Sequence, residues 1–232
     1  MQKSTLGTTF SKSWSVLNNM DIKRDYNGEM LDIIKKANGT MPSLLLHSCC
    51  APCSSSILER LAPHFRLTLL WFNPNIFPYE EFEKRLDAQR QLIDAMGLSS
   101  VVETRILPWQ NERYMESIKG FENEPEKGKR CEICFRVRLD ETAKIAKQET
   151  FSFFCTTLTL SRHKNARLIN QIGEELSQKY GVAWLPSEFR KQNGEKRTSE
   201  ICAQFDIYRQ NYCGCKFSMR QNARDTKFSQ SN

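Results

Sequence analysis

An open α/β fold, a mostly parallel sheet with helices on both faces, is the class that this 232-residue sequence predicts. Short apolar runs alternate with amphipathic stretches along the chain, the pattern of strand–helix–strand units. The first of those runs, LLLH, passes into a helix-like segment through HSCCAPCS. Such a strand–loop–helix crook is where open α/β sheets place their sites. No internal repeat or low-complexity segment competes with this reading.

Residues 1–40 read as an N-terminal extension with one helix near Met30–Ala37, ended by Asn38 and Gly39. Leu44, Leu45 and Leu46 close a buried strand. Ser54–Leu61 open a helix with Ile57, Leu58 and Leu61 at helical spacing, and Pro52 stands where a helix begins without losing a needed N–H. RLTLLWFNPNI reads as a second buried strand running into a loop marked by Pro74 and Pro78. EEFEKRLDAQRQLIDAMG is an amphipathic helix, with Phe82, Leu86, Ile93 and Met96 on one face and Gly97 as its C-cap. SSVVETRIL predicts a third strand. A short helix near Tyr114–Ile118 and the polar loop FENEPEKGKR lead to a helix that opens at Cys131, with Phe135, Leu139, Ala143 and Ala146 on one face. TFSFFCTTLTL predicts a fourth strand, KNARLINQIGEELSQKYG a helix capped by Gly181, VAWLPSEF a short fifth strand, and the region near Ile201–Asn211 a last helix. Residues 41–217 then form the main domain and 218–232 a polar tail.

A hydrophobic content of 39% is enough for a core. No stretch approaches the roughly 18 apolar residues of a membrane span, and the polar start lacks the apolar run of a signal peptide. The cytoplasm is the expected compartment, with no membrane partner. There disulfides are rare, and grouped cysteines bind metal or react. The net charge of +7 is unevenly placed: residues 127–167 hold ten Lys/Arg against four Asp/Glu, and residues 186–232 hold nine against five. A basic excess around the later cysteines suits a polyanion such as nucleic acid, or is a solvated basic face.

Nine cysteines, an odd number with two adjacent in sequence, do not make a disulfide framework. Cys155 and Cys202 suit buried free thiols. The other seven fall into three groups: Cys49, Cys50 and Cys53; Cys131 and Cys134; Cys213 and Cys215. The first two groups sit at helix starts, where unpaired N–H groups favour thiolate over thiol. Four thiolates suit zinc or an iron–sulfur cluster. Seven exceed one closed zinc site, and the surplus points to a redox site or to two adjacent metal centres. Gly214 allows the turn that puts Cys213 and Cys215 on one metal ion or lets them close a reducible disulfide.

HSCCAPCS, FNPNIFPYEEFEKR, CEICFRVRLDETAKIAK, FCTTLTLSRHKN and YRQNYCGCKFS together resemble the epoxyqueuosine reductase family of the QueH type. The resemblance leaves out residues 1–40 and the last dozen or so. It implies a nucleotide-binding α/β fold of the HUP/PP-loop kind with a cysteine-rich C-terminal extension. The implied reaction is reduction of epoxyqueuosine to queuosine at the wobble position of tRNA, without cobalamin and with an external electron donor. The resemblance also implies a [4Fe–4S] cluster on Cys49, Cys50, Cys131 and Cys134. Cys213 and Cys215 become a redox-active pair or ligands of a second iron, and Cys53 an additional metal ligand. Family members commonly have tyrosine where this chain has His163 before Lys164.

Such a reaction needs a proton donor, for which His47, Lys164 and Tyr212 stand beside the motifs; each equally reads as cap, phosphate contact or packing. Arg130, Arg136, Arg138, Arg162, Lys164, Arg167, Arg209 and Lys216 are the expected tRNA contacts. Trp71, Phe72, Phe77 and Tyr79 either stack on a splayed base or belong to the core. Two other readings compete. An iron–sulfur tRNA sulfurtransferase would need a glycine-rich loop where HSCCAPCS stands. A zinc-stabilised RNA-binding module would be colourless.

Overall fold

A computed structural model describes residues 24–219. Five parallel strands, β1 Ser43–Ser48, β2 Arg66–Trp71, β3 Val102–Ile106, β4 Phe153–Thr156 and β5 Ala183–Trp184, stand in the order β3-β2-β1-β4-β5. β1 pairs with β2 and with β4, so it lies at the centre. Burial on both sides explains why it is a run of leucines rather than an alternation. The strand order reverses between β1 and β4. The chain leaves the ends of those two strands in opposite directions, and a crevice opens above them.

Around the sheet lie α1 Tyr26–Ala37, α2 Ala51–Leu61, α3 Tyr79–Ala95, α4 Asn111–Ser117, α5 Lys129–Gln148, α6 Ala166–Tyr180 and α7 Gly194–Gln204, and the described residues end in a helical turn over 216–219. α2 packs against α3 and α7, while α5 packs against α6, β1 and β4. Phe135, Leu139, Ala143 and Ala146 form the buried face of α5 that the spacing predicts. Met30 of α1 is fully buried in the same core. No helix among the described residues is long and apolar enough to cross a membrane.

Several boundaries differ from the sequence expectation: α1 starts at Tyr26 rather than Met30 and α4 at Asn111 rather than Tyr114, and four further differences have a clear physical reason. α2 begins at Ala51 rather than Ser54, because Pro52 fits its first turn; Cys50 becomes its extended N-cap (φ −177°) and Cys53 lies inside the first turn. β4 stops at Thr156, whose Oγ1 accepts from the Leu158 N–H at 3.2 Å and folds residues Thr157–Leu160 into a 3-10 turn. β5 keeps only Ala183 and Trp184, since Pro186 has no N–H to continue the ladder. The expected last helix, α7, starts at Gly194 and has ended before Asp206, whose φ of +48° no helix accommodates. Its buried positions are Thr198, Ile201 and Cys202, and a 2.8 Å hydroxyl pair joins Thr198 to Ser56 of α2. The expected tail lies outside the described residues beyond residue 219.

Candidate functional site

β1 delivers Cys49 to the crevice where the strand order reverses. β4 delivers Thr157 to the same point. Thr157 Oγ1 accepts from the Cys49 N–H at 3.1 Å and donates to Cys49 Sγ at 3.3 Å. The next residue, Cys50, places its sulfur 3.8 Å from that of Cys49. The first turn of α2 adds Cys53, so that all three sulfurs lie within 4.8 Å of one another. Three sulfurs this close form one group of soft donors that could hold a metal centre.

The trio holds its negative charge on one sulfur. Hydrogen bonds from the Cys50 and Cys53 thiols, with the field of Lys164 and the Thr157 hydroxyl, hold Cys49 well below the ordinary thiol range against the cost of burial. Donating to Cys49 pushes Cys50 up to about 12, and donating to Cys49 and Cys50 pushes Cys53 well upward too. The expectation that helix starts favour thiolates is therefore not met: Cys49 is held low by its neighbouring thiols, Lys164 and Thr157, and Cys50 and Cys53 are raised. Burial dominates at Cys131 and at Cys134, raising the latter to about 12.

Across a cavity of about 670 Å³, Cys53 faces Cys131 and Cys134 of α5 and the Cys213–Cys215 turn. The sulfurs of Cys213 and Cys215 both bear electrostatically on Cys131 and on Cys134. Cys131 Sγ accepts from the Lys127 N–H at 3.3 Å. The structure thus gathers all seven motif thiols around one crevice and leaves Cys155 and Cys202 in the core. All nine cysteines are free thiols.

Tyr212–Cys215 belongs to no regular element and is held by side chains. Arg85 of α3 is 1% exposed. It pairs with Glu81 at 2.7 Å and donates to the carbonyls of Cys213 and Tyr212, each at 3.2 Å. The Phe77 N–H donates to the Gly214 carbonyl at 2.8 Å, and the Tyr212 hydroxyl donates to the Phe77 carbonyl at 2.7 Å. Gly214 has φ +128°, and a Cβ there would lie 3.0 Å from Arg85 Nη1 and 3.2 Å from Ile76. Only glycine fits so close an approach.

The candidate proton donors separate. His47 is fully buried between Thr156 Oγ1 (2.8 Å) and the Phe72 carbonyl (3.1 Å). A carbonyl only accepts, so Nε2 carries the proton and Nδ1 accepts from the hydroxyl. Burial, then the nearby Arg138 charge, bring His47 down to about 3. It is a neutral strut. Tyr212 spends its hydroxyl on the Phe77 carbonyl. Lys164 is half-buried in the cavity wall; burial disfavours its charge, but the fields of Cys213, Cys49, Cys53 and Cys50 outweigh it and keep the ammonium protonated.

The expected RNA contacts separate likewise. Arg130 and Arg138 are each 2% exposed, so neither offers a guanidinium to a backbone phosphate on the surface. Arg130 donates to the carbonyls of Glu122 and Glu124, and Arg138 to that of Cys134. Arg162, Lys164 and Arg209 line the cavity mouth. Arg136 is paired with Glu175 at 2.6 Å. Arg167 is exposed on α6, and Lys216 lies 5.3 Å over the Phe217 ring. Of the aromatic residues, Trp71 and Phe72 are core, Phe77 is half-buried and Tyr79 is exposed. Sequence reasoning passed over Arg85, Thr157 and Tyr114. Tyr114 is a buried phenol of α4 in the cavity wall, kept protonated by burial and by its neighbour Cys134.

Soft sulfur donors on three segments, buried cations and a cavity at the reversal of a parallel sheet are the features of an α/β enzyme whose site could hold a metal centre. Comparison with known proteins identifies which. Residues 44–221 match the model of the family described as epoxyqueuosine reductase QueH. The epoxyqueuosine reductase QueH of Streptococcus pyogenes serotype M1 is 36% identical over 89% of this chain and 83% of its own. That of Staphylococcus epidermidis is 36% identical over 88% of this chain and 89% of its own. Among solved structures, the U34-tRNA thiolase NcsA from Methanococcus maripaludis with its [4Fe-4S] cluster matches with TM-score 0.48 and 14% identity, over 82% of this chain and 68% of that one. The chain belongs to the epoxyqueuosine reductase QueH family, and it is an oxidoreductase.

Proposed function

We propose that this protein reduces epoxyqueuosine to queuosine within tRNA, the last step of queuosine biosynthesis. Cys49, Cys50, Cys131 and Cys134 would hold a [4Fe–4S] cluster, and no cobalamin would take part. The observation that carries the reading is the convergence of three thiol groups on one basic cavity above β1 and β4. The donor set fits the group. Soft thiolates suit iron, and a cluster binding each thiolate to a separate iron draws on both walls of the cavity, which the crook and α5 supply. Cys53 belongs to the same trio and is its member that lines the cavity, so it would be an additional ligand, available to a second iron. The family assignment supports the reductase over a sulfurtransferase or a zinc-stabilised RNA-binding module.

When bound, the cluster would pass on the external donor's electrons one at a time, the two that restore the dithiol after each turnover. The rest follows from the chain's own groups. Removing the epoxide oxygen leaves a carbon–carbon double bond and takes up two electrons and two protons, the oxygen departing as water. Cys213 and Cys215 as thiols hold that complement: closing their disulfide releases two electrons and two protons, and an external donor must then reduce it. Arg85 and Gly214 keep this pair turned toward the cavity. Lys164, protonated beside the thiols, can hold a proton at the departing oxygen. Arg162 and Arg209 at the mouth would meet RNA phosphates, with an affinity that falls as salt rises.

The test is anaerobic incubation of iron-loaded protein with dithionite and tRNA bearing epoxyqueuosine, followed by mass spectrometry of the nucleosides. Loss of one oxygen atom from the modified base is expected. A brown, iron- and sulfide-bearing preparation that leaves the epoxide intact would reject the proposal, and a colourless zinc protein would favour the RNA-binding module.

A further inference from the structure

Arg138 is the charged group whose burial the fold does not explain. It lies one helical turn beyond Cys134 on α5 and is 2% exposed. Its Nε donates to the Cys134 carbonyl at 3.1 Å, and its Nη2 has no hydrogen-bond partner. Among the described residues no carboxylate reaches ion-pair distance of it. Of the two other buried arginines one is ion-paired, and the other, whose Nε is also unpartnered, has more neutral acceptors than Arg138. Arg85 has Glu81 and two carbonyls, and Arg130 has two carbonyls and the Phe217 ring at 4.5 Å. A cation taken out of water without an anion is strongly destabilising, so a buried one implies a counter-charge.

The groups around Arg138 say where that charge resides. The guanidinium lines the cavity. Cys134, Cys213 and Cys49 are the nearest groups able to bear negative charge, with Tyr114 on α4, and Cys49 alone of the crook's thiols is held toward thiolate. His47 of β1 faces it as a neutral ring, and Phe135 offers its ring at 5.7 Å. Four thiolates carry four negative charges, more than one divalent ion or one four-iron core cancels.

We propose that Arg138 is the fixed counter-charge of the metal-bearing thiolates: its unpartnered buried guanidinium offsets their excess negative charge, tightening metal binding and making the centre easier to reduce. This rests on the reading of the cavity thiols as metal ligands. Arg138 would act through those thiolates, as a positioning and tuning residue.

Two variants test it, Arg138→Met and Arg138→Lys. The anaerobic apoprotein is titrated with Co²⁺ alone, followed by thiolate-to-cobalt absorption. The Met variant should bind at least tenfold more weakly than the parent, and the Lys variant should fall between. In iron-loaded protein, the Met variant should shift the reduction equilibrium about tenfold toward the oxidised form, about 59 mV for one electron. Thermal unfolding supplies the sign that a merely structural role would reverse. The metal-free Met variant should melt no lower than the metal-free parent, because it removes an uncompensated charge, and should gain less on adding Co²⁺. Unchanged Co²⁺ affinity and potential in the Met variant would overturn the proposal. So would a Lys variant as impaired as the Met variant, or a Met apoprotein that melts lower or does not fold. The cobalt arm reads Arg138 even if the parent takes up no iron and sulfide, an outcome that sinks the cluster reading alone.

Discussion

The β1–α2 crook and the Cys213–Cys215 turn bring thiols to the same cavity by opposite means. Main-chain structure fixes the crook. β1 is hydrogen-bonded to a neighbour on each side, and the N–H of Cys49 is tied to Thr157. Removing one thiol side chain leaves that scaffold standing. The turn has no ladder of its own and meets a helix only at its end, where the Cys215 carbonyl accepts from the Met219 N–H at 3.2 Å. Its carbonyls rest on Arg85 and on the Phe77 N–H, and its φ of +128° at Gly214 is possible because no Cβ is present. The difference suits the proposed roles. Metal ligands benefit from a site that does not relax when empty, whereas a pair that opens and closes a disulfide needs a segment whose backbone is free of a sheet or helix ladder.

Cys50→Ala attacks the rigid side and has the largest expected effect. With Cys50 extended at the N-cap, alanine fits the backbone unchanged. Far-UV circular dichroism should match the parent, while iron and sulfide content collapse and turnover drops by at least roughly 100-fold, the upper range for disturbing a metal site's surroundings. A variant that keeps its full cluster would show that Cys50 is no ligand and that the crook's geometry serves something else.

Arg85→Met attacks the clamped side and should act more moderately. It strips two donors from the turn and leaves Glu81 with only the Tyr208 hydroxyl, at 3.1 Å. Breaking such a buried pair costs about 3 kcal/mol, read as a lower melting temperature. Cluster content should persist, and turnover should fall about tenfold, a loss of the size expected when positioning is relaxed rather than chemistry removed. Alkylation followed by peptide mass spectrometry should find Cys213 and Cys215 reacting several times faster than in the parent. If the turn's thiols keep their parental rate, the clamp is not what holds them, and the contrast with the crook fails.

The two regions were also unequally legible in the sequence. An apolar run ending in HSCCAPCS announces the crook, because strand, loop and helix each have their own spacing signal. The turn announces its thiols but not their support. Arg85 stands in EEFEKRLDAQRQ among charges that are mostly solvated, and nothing in that string marks it as 1% exposed. The burial of Arg130 and Arg138 is hidden for the same reason: a helical arginine facing the core and one facing water look alike until the partner helix is in place. Thr157 gave no signal either, since it became a Cys49 partner only when β4 settled beside β1. Strands and long helices were clear wherever burial is periodic. α7 was misplaced because Thr198, Ile201 and Cys202 are too few and too mixed to set a register.

Cys155 supplies the smallest perturbation and the control for both regions. It lies on β4, beside Thr156, and is fully buried, with its S–H donating to the Leu185 carbonyl at 3.3 Å. Burial pushes it up to about 12. An alkylating agent reads thiolate, so between pH 7 and pH 9 the native protein should leave Cys155 unmodified, the thiol staying below its titration range throughout. Modification should begin only when denaturant exposes it and its ordinary value returns. Cys155→Ala removes one buried sulfur and should cost about 1 kcal/mol of stability, with turnover and cluster content matching the parent. Labelling of native Cys155 at the rate of Cys213, or loss of the cluster in the alanine variant, would mean that core and cavity thiols exchange roles, and the division between a fixed crook and a clamped turn would no longer describe where the reactive sulfur lies.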